Sequence, residues 1–189
     1  MCGLSGFWTK RNDLNDLEQT IRQMTDAISY RGPDDQGYWT DQERGLALGH
    51  RRLSIIDLSS EGHQPMASAS GRYMMVYNGE IYNFEDIRAE LGSASGHRNH
   101  AWRGHSDTEV ILEAIETWGL EAAVGRFVGM FALALWDRAE NALYLVRDRL
   151  GIKPLYYGWN GATFFFGSEL HVLKQHPDFQ GCLPLKVRV

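Results

Sequence analysis

The sequence predicts an α+β fold in which two stacked β-sheets lie between layers of helices. Residues 127–136 (FVGMFALALW) and 142–147 (ALYLVR) are almost continuously apolar, a pattern typical of strands that are buried on both faces. Few helical segments separate the predicted strands. We therefore expect the sheets to stack on each other and the helices to cover them from outside.

Apolar periodicity and turn signals divide the first half of the chain into a strand, a helix and a β-rich region. Apolar residues recur at spacings of three and four from Leu17 onward, and this helix ends before Gly32-Pro33. We expect Asp13 or Asn15 to cap its first turn. The strands of this half are predicted at 3–8, 37–40, 46–49, 53–57 and 72–77.

The second half of the chain combines a well-defined helix with pairs of strands. Ser106 and Glu109 have the spacing of a capping box, and the apolar-periodic segment behind them predicts a helix that ends near Trp118. The remaining elements are a helix at 83–91, an irregular loop at 92–104, strands at 127–136, 142–147, 156–158 and 163–167, and a last helix near 168.

Composition limits the classes of protein to which the chain can belong. The 189 residues carry a net charge of −5, which provides no basic surface for nucleic acid or anionic lipid. No apolar segment approaches the roughly 20 residues of a membrane-spanning helix, and the N-terminus has no signal-peptide pattern. Cys2 and Cys182 are too few for a disulfide framework. We therefore expect a cytoplasmic protein without nucleic-acid or membrane partners.

The histidines do not form a recognisable metal site. His97, His100 and His105 are close in sequence, but they lie in the irregular loop without the spacing of HExxH or CxxC motifs. A Gly-x-x-x-x-Gly-Lys-Ser/Thr loop for nucleotide phosphates is absent as well. We expect neither a metal nor a cofactor in this chain.

Cys2 is the first residue with the chemistry of a nucleophile. Removal of the initiator methionine would leave a thiol and a free α-amine on one residue. An α-amine has a pKa of about 7.7–8.0, so part of it is neutral and can take the thiol proton. The alternative is a small residue that follows the start codon and has no role.

Three further positions suit the binding of a substrate, and each has an ordinary structural alternative. Asn78-Gly79 follows a strand, where such a pair is usually a turn, but it can also provide an oxyanion hole. Arg52 suits a carboxylate ligand or a strand edge in solvent. Asp107 suits a substrate ammonium or the dipole of the helix it opens.

Taken together and in this order, the motifs resemble the class II glutamine amidotransferase domain of asparagine synthetases. The stretches that carry the resemblance are MCGLSGF at 1–7, YRGPDDQG at 30–37, GHRRLSIIDLS at 49–59, GHQPM at 62–66, YNGEIYN at 77–83, GHSDTEVIL at 104–112, GMFALALWD at 129–137 and RDRLGIKPLYYG at 147–158. The likeness predicts one such domain at 2–180, followed by an atypical tail at 181–189.

The resemblance implies the four-layer αββα sandwich of N-terminal-nucleophile hydrolases, with two antiparallel sheets between helices. It implies that Cys2 is the nucleophile and that Asn78 and Gly79 form the oxyanion hole. The substrate-binding residues that it implies are Arg52, Leu53, Ile55, Glu80 and Asp107. The first three would lie at the α-carboxylate of glutamine and the last two at its α-ammonium.

The function implied by the resemblance is hydrolysis of glutamine to glutamate and ammonia through a thioester on Cys2. ATP and magnesium would belong to the synthetase domain of such enzymes, whose Ser-Gly-Gly-x-Asp-Ser motif this sequence lacks. The expected partner is a synthetase domain or subunit that accepts the ammonia, and a homodimer is compatible with the sequence. A truncation, a separate small subunit and a disrupted reading frame would each account for the missing motif.

Two other functions fit the same residues. One is a glutamine-binding regulatory subunit without turnover, and the other is a glutaminase that supplies a different acceptor, such as a sugar or a modified acid. A pure binding protein has no use for a nucleophile such as Cys2, which favours an enzyme.

Overall fold

The structure is a computed structural model that describes residues 1–10, 16–54, 59–94 and 102–179. The elements in chain order are β1 (Gly3–Thr9), α1 (Leu17–Asp26), β2 (Asp35–Asp41), β3 (Leu46–Arg52), β4 (Met66–Ala67), β5 (Tyr73–Ile81), α2 (Phe84–Ala94), α3 (Asp107–Trp118), α4 (Leu120–Arg126), β6 (Gly129–Asp137), β7 (Ala142–Arg147), β8 (Tyr156–Asn160), β9 (Thr163–Gly167) and α5 (Leu170–Leu173). Single turns of 3-10 helix lie at Ser29–Arg31 and Ser60–Gly62.

The strands form two antiparallel sheets that stack on each other. The first sheet has the order β2-β3-β1-β9-β8, and the second has the order β4-β5-β6-β7. Apolar side chains from both sheets fill the space between them, including Leu4 and Leu48 from the first sheet and Val76 and Trp136 from the second. Burial of this apolar area is the main force that holds the sheets together.

Helices cover the outer face of each sheet. Ile21 of α1 and Val172 of α5 pack against the first sheet. Ile87 of α2, Ile111 of α3 and Ala123 of α4 pack against the second sheet. The result is a four-layer αββα sandwich, which confirms the predicted fold class.

Asn78-Gly79 is not a turn, and the turn interpretation of this pair is wrong. β5 continues through both residues to Ile81, with Asn78 opposite Ala132 and Gly79 opposite Phe131 in the antiparallel pair with β6. The long ladder with a buried neighbouring strand outweighs the local turn preference of the dipeptide.

Both predicted helix caps differ from the observed ones. The first turn of α1 is capped by Asp16, whose Oδ1 accepts the Gln19 N–H at 2.7 Å, while Asp13 and Asn15 lie outside the described residues. The Ser106 hydroxyl makes no capping bond at the start of α3. Glu109 instead accepts two N–H groups of the preceding loop, at 2.9 and 3.1 Å, so the capping box does not form.

Several predicted boundaries also need correction. β3 ends at Arg52, so Leu53 is not in a strand, and 55–58 lie outside the described residues. β7 is partly exposed rather than buried on both faces, because it is an edge strand of the second sheet. The sequence analysis missed β4 and α4, which are short. The predicted tail at 181–189 lies outside the described residues.

Within the described ranges, no helix is long and apolar enough to cross a membrane. The same ranges contain no group of three or more His, Cys, Asp or Glu side chains that could hold a metal ion. His97 and His100 lie outside these ranges.

Candidate active site

A cavity of about 280 Å³ opens beside the N-terminus, where the ends of β3 and β5 approach each other. Ile55 is the one predicted site residue outside the described part of the chain. The predicted residues that line the cavity are Cys2, Arg52, Leu53, Asn78, Gly79, Glu80 and Asp107. Residues that are far apart in sequence thus line one cavity.

Cys2 lies just before β1 and is held at its sulfur and at its backbone. The sulfur is 3.3 Å from the Leu53 nitrogen and 3.6 Å from the Leu53 oxygen. Arg31 Nε donates to the Cys2 carbonyl at 3.0 Å, and Arg31 Nη1 pairs with Glu169 at 2.6 Å. Leu53 was predicted to lie near the substrate, and its backbone contacts the Cys2 sulfur. Both contacts fix the position of the thiol.

The edge of β5 that is not paired with β6 faces the cavity, and the N–H groups of every second residue point to this edge. The Tyr77 N–H donates to Gln64 Oε1 at 2.6 Å. The Ile81 N–H donates to Asp107 Oδ2 at 3.0 Å. Gly79 lies midway between these two residues and lines the cavity, so its N–H points to the same edge and is available to a ligand.

The partner strand supports this orientation of Gly79. Phe131, which lies opposite Gly79, makes both of its backbone hydrogen bonds with Asp148. The Phe131 N–H donates to the side-chain Oδ2 of Asp148 at 3.2 Å, and the Asp148 N–H donates to the Phe131 carbonyl at 2.7 Å. Its polar groups therefore point away from β5. A Cβ on Gly79 would lie 2.7 Å from the Phe131 Cα, which explains why only glycine fits this position.

Asn78 supplies a second donor beside the Gly79 N–H. Its side chain is 1% exposed, and its Nδ2 has no hydrogen-bond partner among the described residues. Buried polar atoms are nearly always hydrogen-bonded, so an unpartnered amide that lines a cavity indicates a ligand oxygen. Two donors on adjacent residues are the arrangement that stabilises a developing oxyanion.

Two carboxyl groups, those of Asp107 and Glu80, also line the cavity and give it a negative character. Asp107 is 5% exposed and accepts the Tyr77 hydroxyl at 2.7 Å. Burial raises the pKa of Asp107, the nearby Glu80 charge adds to this, and the donors Tyr77 and Ile81 oppose it. Burial and the Asp107 charge hold the pKa of Tyr77 well above its usual range, so this hydroxyl stays a donor. A substrate ammonium would favour the ionised form of Asp107.

Arg52 provides one of the cationic groups of the same cavity. Its side chain is buried at the end of β3, and its Nη1 donates to the Ser59 carbonyl at 2.8 Å. Gly62 lies directly against the guanidinium, where any side chain would overlap it. The group is thus fixed in place, as the binding of a carboxylate requires.

Sequence reasoning missed several residues that also line the cavity, among them Gln64, Tyr77, Ser106 and Lys153. The Ser106 hydroxyl is buried without a partner among the described residues, although its position in a capping-box pattern predicts a structural role. Lys153 is 5% exposed, and its Nζ lies 3.4 Å from the Met1 sulfur. Each of these four residues lies in a stretch that carries the resemblance, such as GHQPM for Gln64, and that membership was the available signal.

The sequence model described as a glutamine amidotransferase domain matches residues 1–184. The chain belongs to this family. As a glutamine amidotransferase domain, it is 42% identical over 182 residues to asparagine synthetase (glutamine-hydrolyzing) 3 of Bacillus subtilis (strain 168), which covers 95% of this chain and 28% of that protein. It is also 36% identical over 179 residues to amidase chry2 of Gibberella zeae, which covers 90% of this chain and 26% of that protein.

The chain thus spans little more than a quarter of the length of these two curated relatives. Among solved structures, it is similar to glutamine phosphoribosylpyrophosphate amidotransferase from B. subtilis, with a TM-score of 0.75 and 19% identity over 92% of this chain and 43% of that one. This structural likeness supports the fold. The comparisons confirm the resemblance drawn from the motifs.

Proposed function

We propose that this domain hydrolyses glutamine to glutamate and ammonia, with Cys2 as the nucleophile. The observation that carries the proposal is the juxtaposition in one cavity of the Cys2 sulfur, the Asn78 amide and the Gly79 N–H. A nucleophile and two unused donors in one cavity suit attack on a carboxamide, whose oxygen becomes an oxyanion in the transition state.

The reaction begins once Met1 is removed and the Cys2 nitrogen becomes an amine. The amine takes the thiol proton, and the thiolate attacks the side-chain carbonyl of glutamine. Asn78 Nδ2 and the Gly79 N–H bind the resulting oxyanion. The α-ammonium returns its proton to the departing nitrogen, so ammonia leaves and a glutamyl thioester remains. A water molecule, deprotonated by the same amine, then releases glutamate and restores the thiol.

Recognition of glutamine follows from charge at the two sides of the cavity. Arg52 binds the α-carboxylate, while Asp107 and Glu80 bind the α-ammonium. A substrate without either group would leave a buried charge unpaired, so the domain rejects it. We propose no metal or cofactor for this step, because the amine, the thiol and the two donors account for every proton and charge that moves.

We further propose that the ammonia passes to a synthetase part or subunit in the cytoplasm that binds ATP and magnesium and forms asparagine. Support comes from the asparagine synthetase relative, which is more than three times as long as its match to this chain. A different acceptor is the second candidate, and the likeness to a protein named an amidase favours it. Homodimer formation is compatible with either acceptor.

Release of glutamate and ammonia from glutamine by the purified chain tests the proposed hydrolysis. We expect Cys2→Ala to abolish release while the fold, measured by circular dichroism, is unchanged. Cys182→Ala is the matched control, because it removes the other cysteine of the sequence and should leave release intact. Release that survives Cys2→Ala would remove Cys2 from the mechanism.

A further inference from the structure

A histidine joins the two sheets next to the oxyanion donors. His50 lies in β3 of the first sheet and is 1% exposed. Its Nε2 is 2.9 Å from the carbonyl oxygen of Tyr77 in β5 of the second sheet. A carbonyl only accepts hydrogen bonds, so Nε2 carries the proton and Nδ1 does not. Nδ1 is buried without a partner among the described residues.

The atom that His50 holds belongs to the peptide that leads into Asn78. Tyr77 is held at three atoms: its N–H by Gln64, its hydroxyl by Asp107 and its carbonyl by His50. Of these three partners, only His50 belongs to a strand of the first sheet. The orientation of the Tyr77–Asn78 peptide is therefore tied directly to β3.

The same end of β3 leads to the backbone that contacts the nucleophile. Leu53, three residues after His50, contacts the Cys2 sulfur through its nitrogen and oxygen. The His50 hydrogen bond thus connects the segment that holds the sulfur with the strand that carries Asn78 and the Gly79 N–H. These groups come from different sheets, and side-chain packing alone fixes distances less tightly than a directional hydrogen bond.

We propose that His50 is a positioning residue of the oxyanion hole, because its Nε2–H bond to the Tyr77 carbonyl sets Asn78 and Gly79 in register with the Cys2 sulfur. The inference rests on the proposed function. His50 does not touch the substrate, and its effect reaches the reaction through the Tyr77–Asn78 peptide. A displacement of about 1 Å in such a constellation costs about 10²-fold in rate.

Two amide variants test this role, because their side chains carry the same amide and differ only in length. The Gln amide of His50→Gln extends to the position of the imidazole Nε2 and can donate to Tyr77, whereas the shorter Asn amide of His50→Asn cannot. We expect His50→Asn to lower kcat for glutamine hydrolysis by about 10²-fold. Its KM should stay close to that of the unaltered chain, and His50→Gln should recover most of kcat.

The matched control is a second buried histidine. His176 is 2% exposed and packs edge-on against Phe7 and Phe165 in the outer core of the first sheet. We expect His176→Asn to lower the melting temperature and to leave kcat unchanged in the folded protein. Equal kcat for His50→Asn and His50→Gln would overturn the inference, and so would an equal loss in His176→Asn.

The outcome for the unaltered chain separates this inference from the proposed function. If hydrolysis depends on Cys2 but is equally fast in His50→Gln and His50→Asn, only the positioning role is refuted. Absence of hydrolysis in the unaltered chain refutes the proposed function. If His50→Asn does not fold, a His50→Phe variant replaces it, since phenylalanine fills the site without a donor and should show the same loss of kcat.

Discussion

Asn78 has an amide whose Nδ2 the protein leaves buried without a partner. We expect Asn78→Ala to lower kcat for glutamine hydrolysis by about 10²–10³-fold with little change in KM, because the amide binds the oxyanion only in the transition state. Steady-state kinetics measure the effect. Asn83→Ala is the control: Asn83 bonds the Arg126 carbonyl and the Val128 N–H, so its loss should reduce stability and spare kcat. Normal kcat in Asn78→Ala would refute the role.

Tyr77 donates its hydroxyl to a buried carboxylate. We expect Tyr77→Phe to lower the free energy of unfolding by about 1.5–3 kcal/mol, the usual contribution of a hydrogen bond to a charged group. Without this donor, the pKa of Asp107 should rise further and KM for glutamine should increase as the pH is lowered. Urea denaturation and KM measured at two pH values test both effects. Tyr144→Phe, at a more exposed position, should change neither quantity.

His50 makes the stability of the fold depend on pH. Burial is the main cause that lowers the pKa of His50 from 6.5 to about 4. Of the titratable groups that face it, Arg52 and His63 lower this pKa as well, and Asp35 raises it. Between these pH values the unfolded chain binds the extra proton, so the free energy of unfolding falls as the pH drops from 6.5 toward 4. The full loss in the free energy of unfolding is about 3 kcal/mol, and no loss occurs above pH 6.5.

The expected result is a smaller pH-dependent loss of stability in His50→Gln than in the unaltered chain. Urea denaturation at pH 7 and pH 5 measures this difference. An identical loss in both proteins would show that His50 does not contribute.

At the scale of single elements, β5 determines the geometry of the proposed oxyanion hole. The N–H groups of Tyr77, Gly79 and Ile81 point to the same edge of the strand, where they face Gln64, the cavity and Asp107, respectively. They share this edge because the strand continues beyond Asn78. A hairpin turn at Asn78-Gly79 would break this arrangement. Local sequence favours the turn, and only the nine-residue pair with β6 overrides it, so the sequence alone could not reveal which outcome holds.

Gly79 is required by the close approach of β6. We expect Gly79→Ala to displace the strand pair, since the added Cβ would lie 2.7 Å from the Phe131 Cα, and to reduce both kcat and stability. Gly92→Ala in α2 is the control, because no atom lies within 4 Å of a Cβ there. That exchange should raise stability by about 0.5–1 kcal/mol and leave kcat unchanged. Kinetics together with thermal melts distinguish the two variants, and a fully active Gly79→Ala would contradict the crowding argument.

For the whole molecule, the sequence predicted the layers better than the details of the site. The apolar pattern of β6 and the periodicity of α1 and α3 are local signals, and they indicate which faces are buried. Cys2, Asn78 and Asp107 were found through the order of their motifs. The roles of His50 and Tyr77 depend on how the two sheets stack, and no spacing along the chain encodes this contact.

The stacking places Cys2 in the cavity, and the proposed mechanism requires a chain that begins at this residue. β1 lies next to β3 in the first sheet, which brings Cys2 to Leu53 at the edge that faces β5. Met1 occupies the cavity wall beside Lys153 in this chain. While Met1 is present, the Cys2 nitrogen is part of a peptide bond and cannot act as a base. Under the proposed mechanism, removal of Met1 is therefore a step in forming the active enzyme.

Intact-mass analysis of the chain after an acid quench in the presence of glutamine tests the proposed thioester on Cys2. We expect chains that begin at Cys2 to gain the mass of one glutamyl group on that residue, and chains that retain Met1 to gain none. Full turnover by chains that retain Met1, or a glutamyl group attached to any other residue, would contradict the proposed mechanism.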